Sequence, residues 1–520
     1  MLTETLIASV PMLTLILLML VFKVKSHWSA LITMFLAAVI ACFFLPLTGA
    51  PTPNIPSLNY LLVGSSLAEG ITKAIFPILG VIVMALFSYN ILLASGEIET
   101  IKSHLSTICS HRSLLVLLIT WGFGGLLEGI AGFGTAVAIP AAILVGLGFN
   151  PIFSASVSLI ANTVFTDFGA VGITLYTLVA EFTGSTPSTA VLTDFSRLVI
   201  YQFIPLFFII PFVILTFTDK RFLLRNIWIT IIIALTGIAV QLVCVALFGY
   251  QTPSIVASIV SMAVIVIISR HLEPAQTKNE KHFSTRSLLK AWSVYILIIS
   301  LILLSGGMIP DVEKFLHTCL VTELHFPSTG AIFRLAWLGN STLWIFIGSV
   351  AGAFIQGLDW KKILTVFSNT LYSLRYSALT IISLICMANI MGHSGMTASL
   401  AKGIVALTGA AYPTFAPVVG AIGTFITGSN TSSQILFGKL QANAAAALNL
   451  HNDTAIWLGA SNITGGSAGK MISPQSIAIA TAACKITGED DRLMRKTLPY
   501  SLGYLLIICA TIFAGCLLVH

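Results

Sequence analysis

Three ionisable side chains lie within apolar stretches of the sequence, where a charge is expensive and is therefore a candidate for function. Glu128 lies among glycines in the segment 126–135, Asp167 lies in an apolar segment near residue 165, and Lys470 lies in a similar segment near residue 470. Glu128 and Asp167 are candidates for carrying a coupling proton, and Lys470 is a candidate for attracting an anionic substrate. The structural alternatives are helix caps for both carboxylates and, for Lys470, neutralisation of Asp167 or an extended side chain that reaches the cytoplasmic interface.

Small polar residues and glycines form two further candidate features, in the segments 126–135 and 427–434. If each segment is the tip of a helical hairpin, the helix that follows it offers unpaired N–H groups and a positive dipole end to a small carboxylate. The same residue types are also ordinary N-caps. The tip residues predicted to bind substrate are Gly132, Gly134, Thr135, Ser429, Asn430, Thr431 and Ser432.

A second polar interruption follows each tip after roughly thirty residues, at 161–163 and 461–466. Non-helical backbone at membrane depth persists only where protein or a watery cavity satisfies its polar groups. Interruptions at corresponding positions of two halves point to a transporter's binding site. Asn162, Thr163 and Asn462 are therefore predicted to line that site.

The elements that must position these residues are membrane helices. Of the 520 residues, 57% are hydrophobic and 9% charged, and the mean hydropathy is +0.98. Apolar runs separated by short polar loops indicate helical spans rather than barrel strands. The net charge of +7 comes from Lys and Arg in those loops, which is typical of membrane orientation, so no nucleic-acid partner is predicted.

Signatures of enzymes and of bound metals are missing from the sequence. The eight cysteines are dispersed and form no C-x-x-C pair, which argues against metal sites and disulfides. The glycine-rich stretch near residue 130 has neither the preceding strand nor the phosphate-binding lysine of a nucleotide loop. No G-x-S-x-G nucleophile elbow, which needs a strand before the serine and a helix after it, is predicted, and no H-E-x-x-H motif occurs. We therefore predict no enzymatic activity, no cofactor and no metal.

The order of apolar segments predicts four parts. Scaffold helices occupy 1–58, and a first repeat occupies 59–217. Further scaffold helices and a connecting loop, the polar stretch 271–290, occupy 218–358, and a second repeat with the last helix occupies 359–520. Each repeat is predicted to contain a re-entrant hairpin, at 114–149 and 412–450, and a broken helix, at 151–181 and 454–483.

An internal repeat supports this division. The pair Asn90-Ile91 recurs as Asn389-Ile390, and Asn162 recurs as Asn462, at offsets of 299 and 300 residues. Under the predicted spans the basic loop residues fall on one side, which identifies the cytoplasm, while the loops 48–57, 182–194 and 311–334 lie outside. The first hairpin then enters from the cytoplasm and the second from outside. The predicted fold is thus an all-α, multi-pass bundle of two inverted repeats.

At these residues the chain resembles the L-lactate permease family. The resemblance is carried by 127–134 with 144–149, by 428–433 with 436–441, and by 465–478, whose run Gly469-Lys-Met-Ile-Ser-Pro-Gln475 is long and specific. It extends from about residue 70 to the C-terminus. It implies proton-coupled uptake of lactate, and often glycolate, across the bacterial cytoplasmic (inner) membrane, with a homodimeric scaffold and an elevator-like movement.

The sequence departs from the family pattern at two places. At Val164-Phe-Thr-Asp167 the family tends to have a Pro-containing run, and at Tyr201-Gln202 it tends to have an Arg before the Gln. Such changes fit another small monocarboxylate or another coupling ion. The predicted function is therefore import of a short monocarboxylate with protons across the lipid bilayer, and the alternative is a sodium-coupled carboxylate symporter of the same architecture.

Overall fold

The structure is a computed structural model that describes residues 2–44, 59–109, 111–132, 134–272, 284–305, 310–486 and 488–518. Within these ranges ten helices are long and apolar enough to cross a membrane, and one two-stranded sheet is present. The predicted all-α membrane fold is therefore confirmed. The predicted loop 48–57 and most of the predicted connecting loop lie outside the described residues.

The N-terminal half contains eleven α-helices in the described part of the chain, several of them joined by short π-helical turns. Their bounds are α1 Leu2–Ile16, α2 Ser26–Val39, α3 Asn59–Lys73, α4 Gly80–Ser95, α5 Glu97–Ile108, α6 Arg112–Leu117, α7 Gly124–Ile130, α8 Thr135–Gly146, α9 Pro151–Ala161, α10 Gly169–Thr183 and α11 Thr189–Thr218. Helices α3 and α4 run into each other through the π turn Ala74–Leu79.

The middle of the chain contains α12 Lys220–Arg225, α13 Trp228–Phe248, α14 Pro253–Leu272, α15 Thr285–Ser305, α16 Pro310–Thr318 and α17 Ser341–Ile355. Between α16 and α17 the strands β1 Val321–Phe326 and β2 Ala331–Ala336 pair antiparallel, with Val321 opposite Ala336. This hairpin was not predicted, because the polar composition of 311–334 indicates only an outer loop.

The C-terminal half contains α18 Trp360–His393, α19 Met396–Thr408, α20 Tyr412–Thr427, α21 Asn430–Ala447, α22 Asn452–Ile472, α23 Pro474–Ala483 and α24 Asp490–Leu518. Its interruptions follow local sequence signals. The Ser429 side chain accepts a hydrogen bond from the Ser432 N–H at the start of α21, and Ser473 does the same for Ser476 at the start of α23, as N-caps do.

One predicted interruption is wrong. The chain is helical through 461–466, and α22 continues to Ile472 before the backbone breaks at Ser473. Glycine costs a helix only about 1 kcal/mol relative to alanine, and these glycines are needed for packing. A Cβ on Gly465 or Gly469 would collide with the carbonyl oxygens of Pro417 or Ala421 on α20. The second broken helix therefore breaks at Ser473 instead.

Corresponding elements of the two halves recur at a nearly constant spacing. Helices α5 and α19, α9 and α22, and α11 and α24 begin 299, 301 and 301 residues apart, at Glu97 and Met396, Pro151 and Asn452, and Thr189 and Asp490. The packing is reciprocal too: α2 contacts α18 while α17 contacts α4, and α1 contacts α19 while α15 contacts α5. The inverted orientation of the halves and the four-part division stay predictions.

Candidate functional site

A cavity of about 50 Å³ lies where four chain interruptions meet. These are the turn before α8, the turn before α21, the start of α10 and the start of α23. The residues that line the cavity come from both halves of the chain: Glu128, Gly132, Gly134, Gly169, Ala170, Thr174, Gly428, Ser429, Asn430, Thr431, Lys470, Gln475, Ser476 and Ile479.

The helix N-termini at the cavity carry partial positive charge and N–H groups that lack partners within their own helix. Helix α8 begins after Gly134, which has a φ of +83°, and α21 begins after Gly428, which has a φ of +72°, and the cap Ser429. A side chain at Gly428 would collide with Gln475 at the start of α23. The starts of α21 and α23 thus approach each other closely, and a carboxylate in the cavity, which residues at the starts of α8 and α21 line, would be stabilised.

Glu128 and Lys470 form a buried ion pair in the wall of the cavity. The Lys470 ammonium donates to Glu128 Oε1 over 2.6 Å, and the two residues are 3% and 8% exposed. Glu128 Oε2 is buried without a hydrogen-bond partner in the described part of the structure. A second carboxylate that entered the cavity would compete with Glu128 for Lys470.

Asp167 lies apart from this pair and does not line the cavity. It is fully buried, and its Oδ1 accepts from the Phe168 N–H at 2.8 Å and from Ser254 Oγ at 3.3 Å. Its Oδ2 is buried without a hydrogen-bond partner among the described residues. The interpretation of Lys470 as the electrostatic partner of Asp167 is wrong, because Lys470 pairs with Glu128.

The first broken helix contains a strained turn. After the non-helical residues 162–168, Ala170 and Val171 adopt left-handed conformations with φ of 45° and 57°, followed by Gly172 at 76°. A left-handed L-residue costs about 1–2 kcal/mol, and such strain is typical of ligand sites. Ala170 lines the cavity described above.

Val171 lines a second cavity, of about 580 Å³, on the other side of the same turn. That cavity is bounded by 186–193, by 245–251 and by the segment from β2 to the start of α17. The predicted topology assigns these segments to the outside. Residues of the strained turn thus line both the small cavity and the second one, which the predicted topology would make an outer vestibule.

The remaining predicted binding residues form internal contacts instead of lining the cavity. Thr135 Oγ1 donates to the Gly132 carbonyl, Thr163 Oγ1 donates to the Ile160 carbonyl, and the Ser432 N–H donates to the Ser429 side chain. Asn162 lies in the irregular segment between α9 and α10, and its Oδ1 is buried without a partner in the described part of the chain.

Asn462 belongs to an amide network that joins α20, α21 and α22. Its Nδ2 donates to Gln434 Oε1 at 2.7 Å, and Gln434 Nε2 donates to Asn430 Oδ1 at 2.7 Å. Gln441 Nε2 donates to Asn462 Oδ1, and the Tyr412 hydroxyl donates to Gln441 Oε1. Satisfied buried networks rigidify a core, so Asn462 positions the second tip rather than contacting the cavity.

Several residues of the cavity wall are not among those predicted from the sequence. Thr174 of α10 contacts Thr431 of α21 through their hydroxyls at 3.0 Å, and Gln475 and Ser476 contribute from the start of α23. The run Ser473-Pro-Gln-Ser476 could have identified this helix start, because Ser followed by Pro is a strong N-terminal signal. Nothing in the sequence pairs Thr174 with Thr431.

The comparison with known proteins is consistent along the whole chain. The profile of the L-lactate permease family matches residues 4–519, which extends the resemblance to the N-terminus. The L-lactate permease of Bacillus subtilis is 32% identical, over 98% of this chain and 96% of its own. The glycolate permease GlcA of Escherichia coli is 30% identical, over 99% of this chain and 97% of its own.

Among solved structures, the fold is similar to that of the Alcanivorax borkumensis YdaH transporter. The TM-score is 0.51 at 15% sequence identity, and the match covers 92% of this chain and 97% of that one. At this level of identity the similarity concerns the fold alone.

Proposed function

The chain belongs to the L-lactate permease family, and from that membership we propose that it imports a short monocarboxylate of the lactate or glycolate type, coupled to protons. It is a multi-pass protein of the bacterial cytoplasmic (inner) membrane, and its relatives are permeases, not enzymes. The observation that carries the proposal is the cavity at which four helix interruptions surround a buried Glu128–Lys470 pair.

The substrate carboxylate binds between the N-termini of α8 and α21 and takes Lys470 as its counter-ion. The N–H groups of these helix starts and the Lys470 ammonium form an anion site. Ser429, Thr431 and Thr174 line the same cavity, and in this proposal their hydroxyls bind the 2-hydroxyl group of a small hydroxy acid. Asn162, Thr163, Asn462, Thr135 and Ser432 support this site from outside the cavity wall.

Glu128 carries the coupled proton in this mechanism. While it is ionised, Glu128 holds Lys470 at 2.6 Å, and a second carboxylate would meet like charge. A proton on Glu128 removes that charge, so Lys470 is free for the substrate. Substrate anion and proton therefore bind together, because either one alone leaves a buried charge uncompensated.

Sodium is the alternative coupling ion, and one observation favours it. Asp167 Oδ2 and Asn162 Oδ1 are both buried without hydrogen-bond partners in the described structure, and both lie in or beside the irregular segment 162–168. Oxygen ligands from carboxylate, amide and free backbone carbonyls suit a hard cation. In this alternative Asp167 is the coupling residue, and Glu128 keeps only its pairing role. A homodimeric scaffold with elevator-like movement is proposed from the family resemblance.

The test is uptake of radiolabelled L-lactate and glycolate into proteoliposomes with an inward proton gradient, with and without sodium. We expect gradient-driven uptake that does not require sodium. In Glu128→Gln, where the amide imitates a permanently protonated carboxyl group, we expect exchange of internal for external substrate to persist while gradient-driven accumulation falls, because this residue no longer releases and binds a proton.

Glu99→Gln serves as the matched control, because Glu99 is an exposed carboxylate that pairs with Lys102 on α5. It is expected to behave as the wild type. Sodium-dependent uptake that is lost in Asp167→Asn but kept in Glu128→Gln would replace the proton mechanism by the sodium mechanism. Absence of uptake and of exchange for both substrates would contradict the proposed substrate class.

A further inference from the structure

A second set of buried charges lies outside the cavity, where α3, α10, α18 and α21 meet. We call it the charge cluster; it consists of Glu69, Lys73, Glu181, His393 and Lys439. Lys73 Nζ lies 2.7 Å from Glu69 Oε1, and His393 Nε2 lies 2.9 Å from Glu69 Oε2. Glu69 is 1% exposed and Glu181 is 6% exposed. A group of this kind inside a membrane protein is a candidate for function.

Glu181 differs from Glu69 in its surroundings. Both oxygens of Glu69 face a basic group, whereas Glu181 forms no ion pair within 4 Å in the described part of the chain. Its electrostatic neighbours are Lys73 and Glu69 of α3, His393 of α18 and Lys439 of α21. Lys439 lies beside His393, because its Nζ is 2.6 Å from the place where a Cβ on Gly392 would stand. Glu181 is thus the carboxylate of the cluster that one proton can neutralise without breaking a direct pair.

The charge cluster is connected to the cavity by two helices that pack together. Helices α10 and α21 touch at the cavity through Thr174 and Thr431. Two turns further along they carry Glu181 and Lys439, and a Cβ on Gly438 would lie 2.9 Å from the Glu181 Cβ. From Thr174 to Glu181 and from Thr431 to Lys439 the helices advance by seven and eight residues, which at a rise of about 1.5 Å per residue places the cluster about 11–12 Å from the cavity wall.

The predicted topology gives protons from the outer solution access to this position. Glu181 precedes the segment 182–194, which the distribution of basic residues assigns to the outside. The Lys73 and His393 side chains are 18% and 19% exposed, and Lys439 is half-buried. In the predicted topology Glu181 therefore lies near the outer end of α10, close to the outer solution.

We propose that the charge cluster is a second proton-binding site with Glu181 as the acceptor, so that each substrate anion enters with two protons. This proposal rests on the proposed function. One proton from the outer solution adds to the Glu181 carboxylate, and no other bond changes. With His393 neutral, two carboxylates balance two ammonium groups, and the added proton leaves one positive charge. An anion bound at the cavity end of the same helices compensates that charge.

The experiment measures the proton-to-substrate ratio in proteoliposomes whose membrane potential is clamped at zero. With a fixed gradient of one pH unit, the opposing lactate gradient that stops net flux is determined. Each coupled proton contributes about tenfold to that gradient, so two protons give about 100-fold and one proton gives about tenfold. We expect about 100-fold for the wild type and for Glu99→Gln, and about tenfold for Glu181→Gln.

A second variant keeps the proposal testable if Glu181→Gln does not fold. In Lys439→Gln the balancing ammonium is removed, so Glu181 stays protonated and the limiting gradient should fall to the same tenfold value. Substrate exchange without a pH gradient identifies which variants are folded and active.

The proposal is overturned if the wild-type limit is tenfold or less, or if neither variant combines intact exchange with a lowered limit. A wild type that neither exchanges nor accumulates lactate or glycolate would instead contradict the proposed function itself, and this proposal would fall with it.

Discussion

The ion pair between Glu128 and Lys470 joins two residues that are 342 positions apart in the chain. Both are buried, so each charge depends on the other. Removing one partner of a buried pair is costly because the remaining charge is left without compensation, whereas removing both can be nearly neutral. The pair should therefore show strong coupling in protein stability as well as in transport.

For Lys470→Met we expect a large loss of stability, about 3–5 kcal/mol, because Glu128 keeps its place in the buried wall without a cation. In the double variant Glu128→Gln/Lys470→Met most of this loss should be recovered, since no buried charge remains. The measurement is the thermal unfolding midpoint of the purified proteins in detergent. Lys102→Met is the control, because it breaks an exposed pair with Glu99 that contributes about 0–1 kcal/mol. A double variant as unstable as Lys470→Met would show that the two charges are independent.

The sequence is sufficient to identify the buried charged residues and the residues of the two tips, but not the side chains that they contact. Burial cost identifies Glu128 and Lys470, and the polar tip identifies Ser429 and Thr431. All four residues line one cavity in the structure. The partner of Lys470 was predicted wrongly, since a pairing across two distant helices leaves no mark in either segment. Glu181 was not selected at all, because it lies at the end of an apolar run next to a polar loop.

In helix α22, glycines that allow close packing resemble a helix interruption in the sequence. The segment 461–466 looks like an interruption, yet it is helical. Small residues let membrane helices approach closely, and here Gly465 faces the Pro417 carbonyl of α20 while Gly466 faces the Asn430 side chain. The break before α23 was recognisable from Ser473 and Pro474, whereas packing glycines and breaking glycines look alike in one sequence.

Gly465→Ala tests the packing role. Its added methyl group would collide with the Pro417 backbone, and overpacking of a tight contact typically costs about 1–3 kcal/mol. We expect a lower thermal midpoint. Gly503→Ala in α24 is the matched control, because nothing lies within 4 Å of its Cβ position and alanine favours a helix over glycine by about 1 kcal/mol. Equal midpoints for Gly465→Ala and the wild type would mean that α20 and α22 are not held at close range.

Helices of each half of the chain pack on helices of the other half. The N-terminal helices α1 and α2 pack on α19 and α18 of the second half, while α15 and α17 pack on α5 and α4 of the first half. The recurring asparagines predict that the two halves correspond. They do not predict that each half packs on the other, because that packing depends on contacts between distant segments. The cavity is lined by residues of both halves, so in the proposed elevator-like movement the two tips would have to move together with the bound substrate.

Opposite orientation of the two halves is the remaining prediction, and two matched lysines test it. Lys102 lies on α5 and Lys402 on the corresponding helix α19, 300 residues apart. Both side chains reach solvent in part or in full. If the repeats are inverted, a membrane-impermeant maleimide applied to intact cells should label Lys402→Cys, and should label Lys102→Cys only after the membrane is permeabilised. Labelling is compared with the parent protein, whose eight cysteines give the background.

The basic residues of the loops predict this labelling pattern, because they place α5 at the cytoplasm and α19 outside. Labelling of both variants from the same side would make the repeats parallel, and the two tips could then not meet at the cavity from opposite faces of the membrane.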